Sequence, residues 1–135
     1  MEVEVLLPLT ELDRYRLEGR VVPVPYRARG LIDTAAERSC VSETVVGALL
    51  LQRTSRQPLS TASGSTKSGI YDLMLHLGYR SDDPPDPIRV MAYDANLTGA
   101  EVLVGLDVLR LGRLMLNGPS GEYELFLPRT ARPVP

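Results

Sequence analysis

The chain has 135 residues, of which 44% are apolar and 24% charged, with 11 Gly and 11 Pro. That suits one globular domain able to bury a core without disulfides or metals, and it excludes disorder over most of the length. The 15 basic and 17 acidic residues leave a charge of −2, Lys67 is the only base that is not Arg, and Trp is absent. A nucleic-acid partner is therefore not expected, since it calls for a basic stripe, often with stacking aromatics.

The start, Met1-Glu2-Val3-Glu4, is acidic where a secretory signal is basic. The longest apolar run, Val45 to Leu51, is far short of the roughly 20 residues that span a bilayer. Cys40 is the single cysteine, which excludes an internal disulfide and suits a reducing compartment. With one His as well, no zinc set can be assembled. The expectation is a cytoplasmic domain with no metal, no cofactor and no membrane partner.

In chain order, Glu2–Leu7 reads as a strand, and Val21–Arg29 and Gly30–Thr34 as two more. Pro23 and Pro25 remove backbone donors, so their segment should be an edge or bent strand. Ser42 can cap a turn or two of helix through Leu51, with Glu43 near its positive end. Ile70 to Leu77 alternates, with Tyr71, Leu73, Leu75 and Leu77 on one face and Asp72, Met74 and His76 on the other. Ile88–Tyr93 and Glu101–Val104 follow as strands, and Leu106–Leu111 as one or two helical turns ended by Gly112. Arg113–Leu116 and Glu122–Leu127 close the pattern, the latter with Tyr123, Leu125 and Leu127 inward and Glu122 and Glu124 outward. Many short strands separated by turns, with two short helices, indicate an all-β barrel or sandwich. Residues 1–127 form the domain, and Pro128 to Pro135 a proline-bearing tail.

Several tempting motifs fail. Gly64-Ser65-Thr66-Lys67-Ser68 lacks the Gly before the Lys that a phosphate loop needs, and it lies between strands. Cys40 and His76 sit in apolar, alternating sequence and read as a core thiol and a strand histidine near water or a polar neighbour. Glu37, Arg38 and the Asp82–Asp86 cluster read as solvated loop charges.

Arg29-Gly30-Leu31-Ile32-Asp33-Thr34-Ala35-Ala36 is different: apolar residues run straight into an acid, then a hydroxyl, then two small residues. An Asp at the end of a buried strand is costly unless something pairs with it or uses it. Its carboxylate can cap the following turn, which needs no function, or it can do chemistry.

Two further segments lie downstream in a telling order. Gly64 to Leu77 is a Gly/Ser tip leading into a long alternating strand, and Val102-Leu103-Val104-Gly105-Leu106-Asp107-Val108-Leu109 is an apolar strand entering a short helix. With these three segments in this order, roughly residues 18–127 resemble the retropepsin-like aspartic peptidases, most closely cellular and bacterial members such as the protease domain of DNA-damage-inducible ubiquitin-shuttle proteins. The resemblance implies a closed barrel with a flap hairpin and one or two short helices, active as a C2 homodimer. It makes Asp33 the catalytic acid and Thr34 the hydroxyl bracing the two active-site loops. It places Ala35, Ala36 and Glu37 along the substrate, matches Ser63 to Ser68 to the flap tip, and makes Ser63, Gly64, Ser65 and Thr66 substrate-binding as well. Asp107 becomes a structural acid rather than a catalytic one.

Family members have Gly where this chain has Ala35. If that position needs a positive φ, Ala35 costs about 1–2 kcal/mol; if it does not, the methyl sits where substrate or water must approach. Aspartic peptidases use two carboxylates sharing one proton, because like charges so close cannot both ionise and one pKa is raised. Only Asp33 sits in such a motif here and no internal repeat occurs, so the resemblance implies a homodimer with one Asp33 from each protomer. The implied activity is endopeptidase cleavage of a peptide or protein substrate by an activated water, falling once both carboxylates ionise. The competing expectations are an inactive retropepsin-like dimerisation or peptide-binding module, and an unrelated small β-barrel binding protein.

Overall fold

The computed structural model describes residues 1–61, 64–78 and 82–128, with backbone alone over 56–67. Nine strands and three short helices are found among the described residues. In chain order they are β1 (Glu2–Leu6), α1 (Leu9–Leu17), β2 (Tyr26–Ile32), β3 (Cys40–Val41), α2 (Glu43–Leu49), β4 (Arg53–Thr61), β5 (Gly64–Leu77), β6 (Ile88–Asp94), β7 (Val102–Val104), α3 (Leu106–Leu109), β8 (Arg113–Leu116) and β9 (Tyr123–Phe126).

Six strands form a ring in the order β1-β2-β7-β3-β6-β5, closed by antiparallel pairing of β5 back onto β1. Closure removes the free edges that an open sheet of this size would present. β4 pairs outside the ring along β5, from Arg53 against Tyr71 out to Thr61 against Gly64, and makes the expected hairpin arm. β8 and β9 form a separate two-stranded sheet. The observed architecture is the closed β barrel with a hairpin and short helices expected from the sequence.

Alternation explains the barrel interior. Val3 and Val5 of β1 are fully buried, as are Leu73, Leu75 and Leu77 of β5, while Met74 and His76 lie on the other face. Each such Leu or Val stabilises the fold by roughly 1.5–3 kcal/mol relative to exposure. Val41, Val102 and Val104 complete the interior from β3 and β7, with Val45, Leu49 and Val108 from the helices.

Some expectations are corrected. The two strands expected over Val21–Arg29 and Gly30–Thr34 are one strand, Tyr26–Ile32, and Val21–Pro25 is irregular because its two prolines cannot donate to a ladder. α1 was not expected: its nine residues carry four charges, and Tyr15 is its only buried side chain. Tyr123, expected inward, is 42% exposed, because β9 packs on the barrel only through Leu125 and Leu127. The short β3 was also not expected, and the bounds of β4 were not read from periodicity, since neither shows strict alternation; a hairpin partner for β5 was implied only by the resemblance. α3 is one turn, shorter than the expected Leu106–Leu111. α2 starts as expected at Ser42, whose Oγ accepts from Val45 N at 3.5 Å, and it ends at Leu50 in the left-handed region (φ 51°).

Candidate active site

β2 ends at Ile32, and Asp33 follows on a loop leading to β3. Asp33 N donates to Val104 O at 3.0 Å, so the acid sits where the parallel β2–β7 pair ends. Its carboxylate is half-buried, and Oδ1 accepts from Ala35 N at 2.9 Å. That is the turn cap the local sequence allowed; it also fixes the carboxylate's orientation while leaving Oδ2 for other partners.

The loop is clamped from beneath by α3. Leu106 N donates to Ala36 O at 2.8 Å and Asp107 N to Glu37 O at 3.1 Å. Ser39, fully buried, donates from its hydroxyl to Asp107 Oδ1 at 2.7 Å and from its backbone to Oδ2 at 3.0 Å. The same hydroxyl accepts from Gly105 N at 3.0 Å. Every polar atom of this buried network is thereby paired, which is the condition for burying it without a penalty. Gly105 is required by close approach: a Cβ there would lie 2.8 Å from Ala36 O, Arg38 C and Arg38 O. Asp107 thus acts on structure, as expected of it, by holding the loop that carries Asp33.

Thr34, Ala35 and Glu37 are exposed on this loop and Ala36 is half-buried, so the structure brings the loop candidates together around Asp33. The structure answers the backbone question raised by Ala35. Among the described residues only Leu50 is a non-glycine with positive φ, so Ala35 carries no left-handed strain, and its methyl lies at the surface beside Asp33. Gly64, Ser65 and Thr66 lie at the outer end of β5, paired with Thr61, Ser60 and Leu59. Ser63 lies outside the described residues.

Strand register reveals a feature that sequence alone missed. Leu31 pairs with Leu103, Leu103 with Cys40, Cys40 with Tyr93, and Tyr93 with Ile70. Paired residues share a face, so these five form one apolar row across β2, β7, β3, β6 and β5, on the face away from the main core. Cys40, Ile70 and Tyr93 are buried as a second apolar cluster, with Leu103 packed against it, while Leu31, two residues before Asp33, is 55% exposed. The row therefore runs from open apolar surface beside the acid to the base of the β4–β5 arm. No periodicity within any one segment signals it, because each strand contributes only one residue.

The arm's base is itself fixed. Ser68, 3% exposed, donates to the Asp94 carbonyl at 2.6 Å and to its carboxylate at 2.5 Å, and Gly69 N donates to the same carboxylate at 2.9 Å. Cys40 is confirmed as a core thiol: burial first, then the nearby Asp107, Asp33 and Asp94 charges, push its pKa from 9.0 up to about 11. His76 lies 3.8 Å from Glu4, its partner across β1–β5, as a strand histidine beside a polar neighbour. It is six residues along β5 from Ile70, about 20 Å, so no thiol–imidazole pair forms. Among the described residues no group of three or more His, Cys, Asp or Glu could hold a metal ion, and no helix is long and apolar enough to cross a membrane.

No family model matches the chain, and no curated protein sequence matches it. Among solved structures, the retroviral protease-like domain of Ddi1 from Leishmania major is similar over 98% of this chain and 97% of that chain, at 14% identity and a TM-score of 0.49.

Proposed function

We propose that the chain is a retropepsin-like aspartic endopeptidase, acting as a homodimer in which Asp33 of each copy supplies half of a carboxylate dyad. The observation that carries this is the setting of Asp33: a half-buried carboxylate at a strand end, on a loop held from below by Ser39, Gly105 and Asp107. A loop fixed this firmly holds a reacting group to the tolerance that catalysis requires.

In the dyad one carboxylate takes a proton from a water while the other, protonated, donates to the peptide carbonyl as the water oxygen attacks. The resulting tetrahedral diol collapses with cleavage of the C–N bond, and the proton passes to the leaving amine. The β4–β5 arm serves as the flap over an extended peptide, and the open end of the apolar row at Leu31 and Leu103 receives an apolar side chain next to the scissile bond. The test is cleavage of a mixed peptide library between about pH 4 and 7 by the native chain and by Asp33→Asn, both verified as dimers. Cutting by the native dimer alone supports the proposal. If neither dimer cuts, the peptidase function is abandoned.

A second function, peptide gripping without cleavage, is favoured by one feature: the exposed Ala35 methyl beside Asp33. Ala35→Gly separates the two. A gain from no activity to measurable cleavage would assign the native chain to gripping, and measurable cleavage by the native chain within about tenfold of the variant would assign it to cleavage.

A further inference from the structure

The β4–β5 arm leaves the barrel at one level, and three separate features meet there. β6 pairs with β5 only as far as Tyr93 against Ile70, so from Gly69 outward β5 pairs with β4 alone among the described residues. At this level β4 slips register between Arg53 and Ser55, and the Thr54 hydroxyl donates to Ile70 O at 3.0 Å. A slip of this kind bends the strand that carries it. Gly69 is tightly enclosed at the same place: a Cβ there would lie 3.0 Å from the Tyr71 ring and 3.1 Å from Arg53 Cδ.

Asp94 ties the arm down at this bend. One step beyond the Tyr93–Ile70 pair it stands opposite Gly69, and there its side chain takes over from the ladder. Oδ1 accepts from Gly69 N at 2.9 Å and lies 2.5 Å from Ser68 Oγ, and that hydroxyl is also 2.6 Å from the Asp94 carbonyl. Hydrogen bonds to a carboxylate are roughly twice as strong as neutral ones, and Ser68 is buried away from competing water. Asp94 is itself held on both sides: Tyr93 N donates to Ser39 O at 3.1 Å and Ala95 N to Val41 O at 3.0 Å. Ser39 is also the residue whose hydroxyl holds Asp107 beneath the Asp33 loop. The arm and the loop are therefore both anchored on one short segment, Ser39 to Val41, which fixes the distance between them.

Resting on the peptidase function proposed above, we propose that Asp94 is a positioning residue: through Ser68 and Gly69 it holds the β4–β5 arm at the height over Asp33 at which an extended peptide is gripped. It acts through the arm and not on the substrate itself. Its loss frees the arm to tilt, so the gripping position is populated less of the time and peptide is held more weakly. The arm supplies grip rather than chemistry, so the loss falls on KM more than on kcat.

Backbone amide relaxation by NMR and peptide-cleavage kinetics of the full chain, with Asp94→Ala, Asp94→Asn and Ser68→Ala, test the proposal. In the native chain the Ser68, Gly69 and Ile70 amides should be as ordered as those of Leu73 and Leu75, with order parameters of about 0.85. In Asp94→Ala those three should fall below about 0.6, or show microsecond-to-millisecond exchange, while Leu73 and Leu75 stay as they were. KM should rise about tenfold in the same variant, with kcat within about threefold of native. Asp94→Asn keeps an oxygen for Gly69 N and Ser68 Oγ, so it should restore both readouts. Ser68→Ala keeps the Gly69 bond and should show a smaller change of the same kind; it decides the matter should Asp94→Ala fail to fold. Native order at Ser68 to Ile70 in the alanine variants, or loosening spread equally to Leu73 and Leu75, overturns the proposal. So does a fall in kcat larger than the rise in KM. If the native chain cuts no peptide, the peptidase function falls, and the relaxation comparison alone decides whether Asp94 holds the arm.

Discussion

Replacing Gly105 by Ala isolates the clamp beneath the Asp33 loop. Gly105 has φ −96° and ψ −172°, which any residue adopts, so the substitution adds no backbone strain. The added methyl is the whole perturbation: its carbon would lie 2.8 Å from three backbone atoms, where ordinary contact starts at 3.4 Å. Backbone cannot swing aside as a side chain can, so the start of α3 must retreat by about 0.6 Å, the difference between those distances. The bonds from Leu106 N, Asp107 N and Gly105 N, at 2.8, 3.1 and 3.0 Å, then stretch to the edge of useful geometry. Overpacking costs about 1–3 kcal/mol and each weakened bond up to about 0.5–1.5 kcal/mol, giving a destabilisation of about 3–5 kcal/mol. For a domain of this size that lowers Tm by roughly 10–20 °C. Thermal unfolding followed by circular dichroism reads it, with Gly47→Ala as the control. Nothing lies within 4 Å of a Cβ at Gly47, in mid-helix α2, so that change should stabilise by about 0.5–1 kcal/mol. A Gly105→Ala chain within about 0.5 kcal/mol of native stability would refute the clamp.

Ser39→Ala leaves Gly105 N and one Asp107 oxygen without the hydroxyl, and urea unfolding should show a loss of about 1–3 kcal/mol. Leu50→Gly relieves a left-handed, 57% exposed leucine at the end of α2, and the same assay should show a gain of about 1 kcal/mol. The raised pKa of Cys40, about 11 against 9.0, means that the folded state holds its proton more tightly than the unfolded chain. Its stabilising contribution is complete below about pH 9 and is lost as pH rises through about 11, so a native-minus-Cys40→Ala stability difference should shrink over that window. Alkylation at pH 8 should likewise be slowed roughly a hundredfold in the native state relative to denaturant.

The ring of strands was legible wherever one chain segment carried its own pattern. β5 announced its inward face through Leu73, Leu75 and Leu77, and Ser42 marked the start of α2. Asp33 was legible because apolar residues running into an acid violate the usual burial rule. α1 was not, since nine residues with four charges and a single buried Tyr15 carry almost no periodic signal. Nor was the apolar row, because Leu31, Leu103, Cys40, Tyr93 and Ile70 become neighbours only through register between five strands. The exposure of Tyr123 escaped notice for a related reason: alternation identifies two faces of a strand, and only packing decides whether either face is covered.

Subunit mixing addresses the shared dyad most directly. Native and Asp33→Asn chains are combined at varied ratios, allowed to exchange, and assayed for peptide cleavage at constant total protein. If each site needs Asp33 from both copies, activity follows the square of the native fraction, so an equal mixture retains about one quarter of full activity. A linear decline, leaving about one half, would mean that each chain cleaves with its own Asp33 and that no dyad spans the dimer.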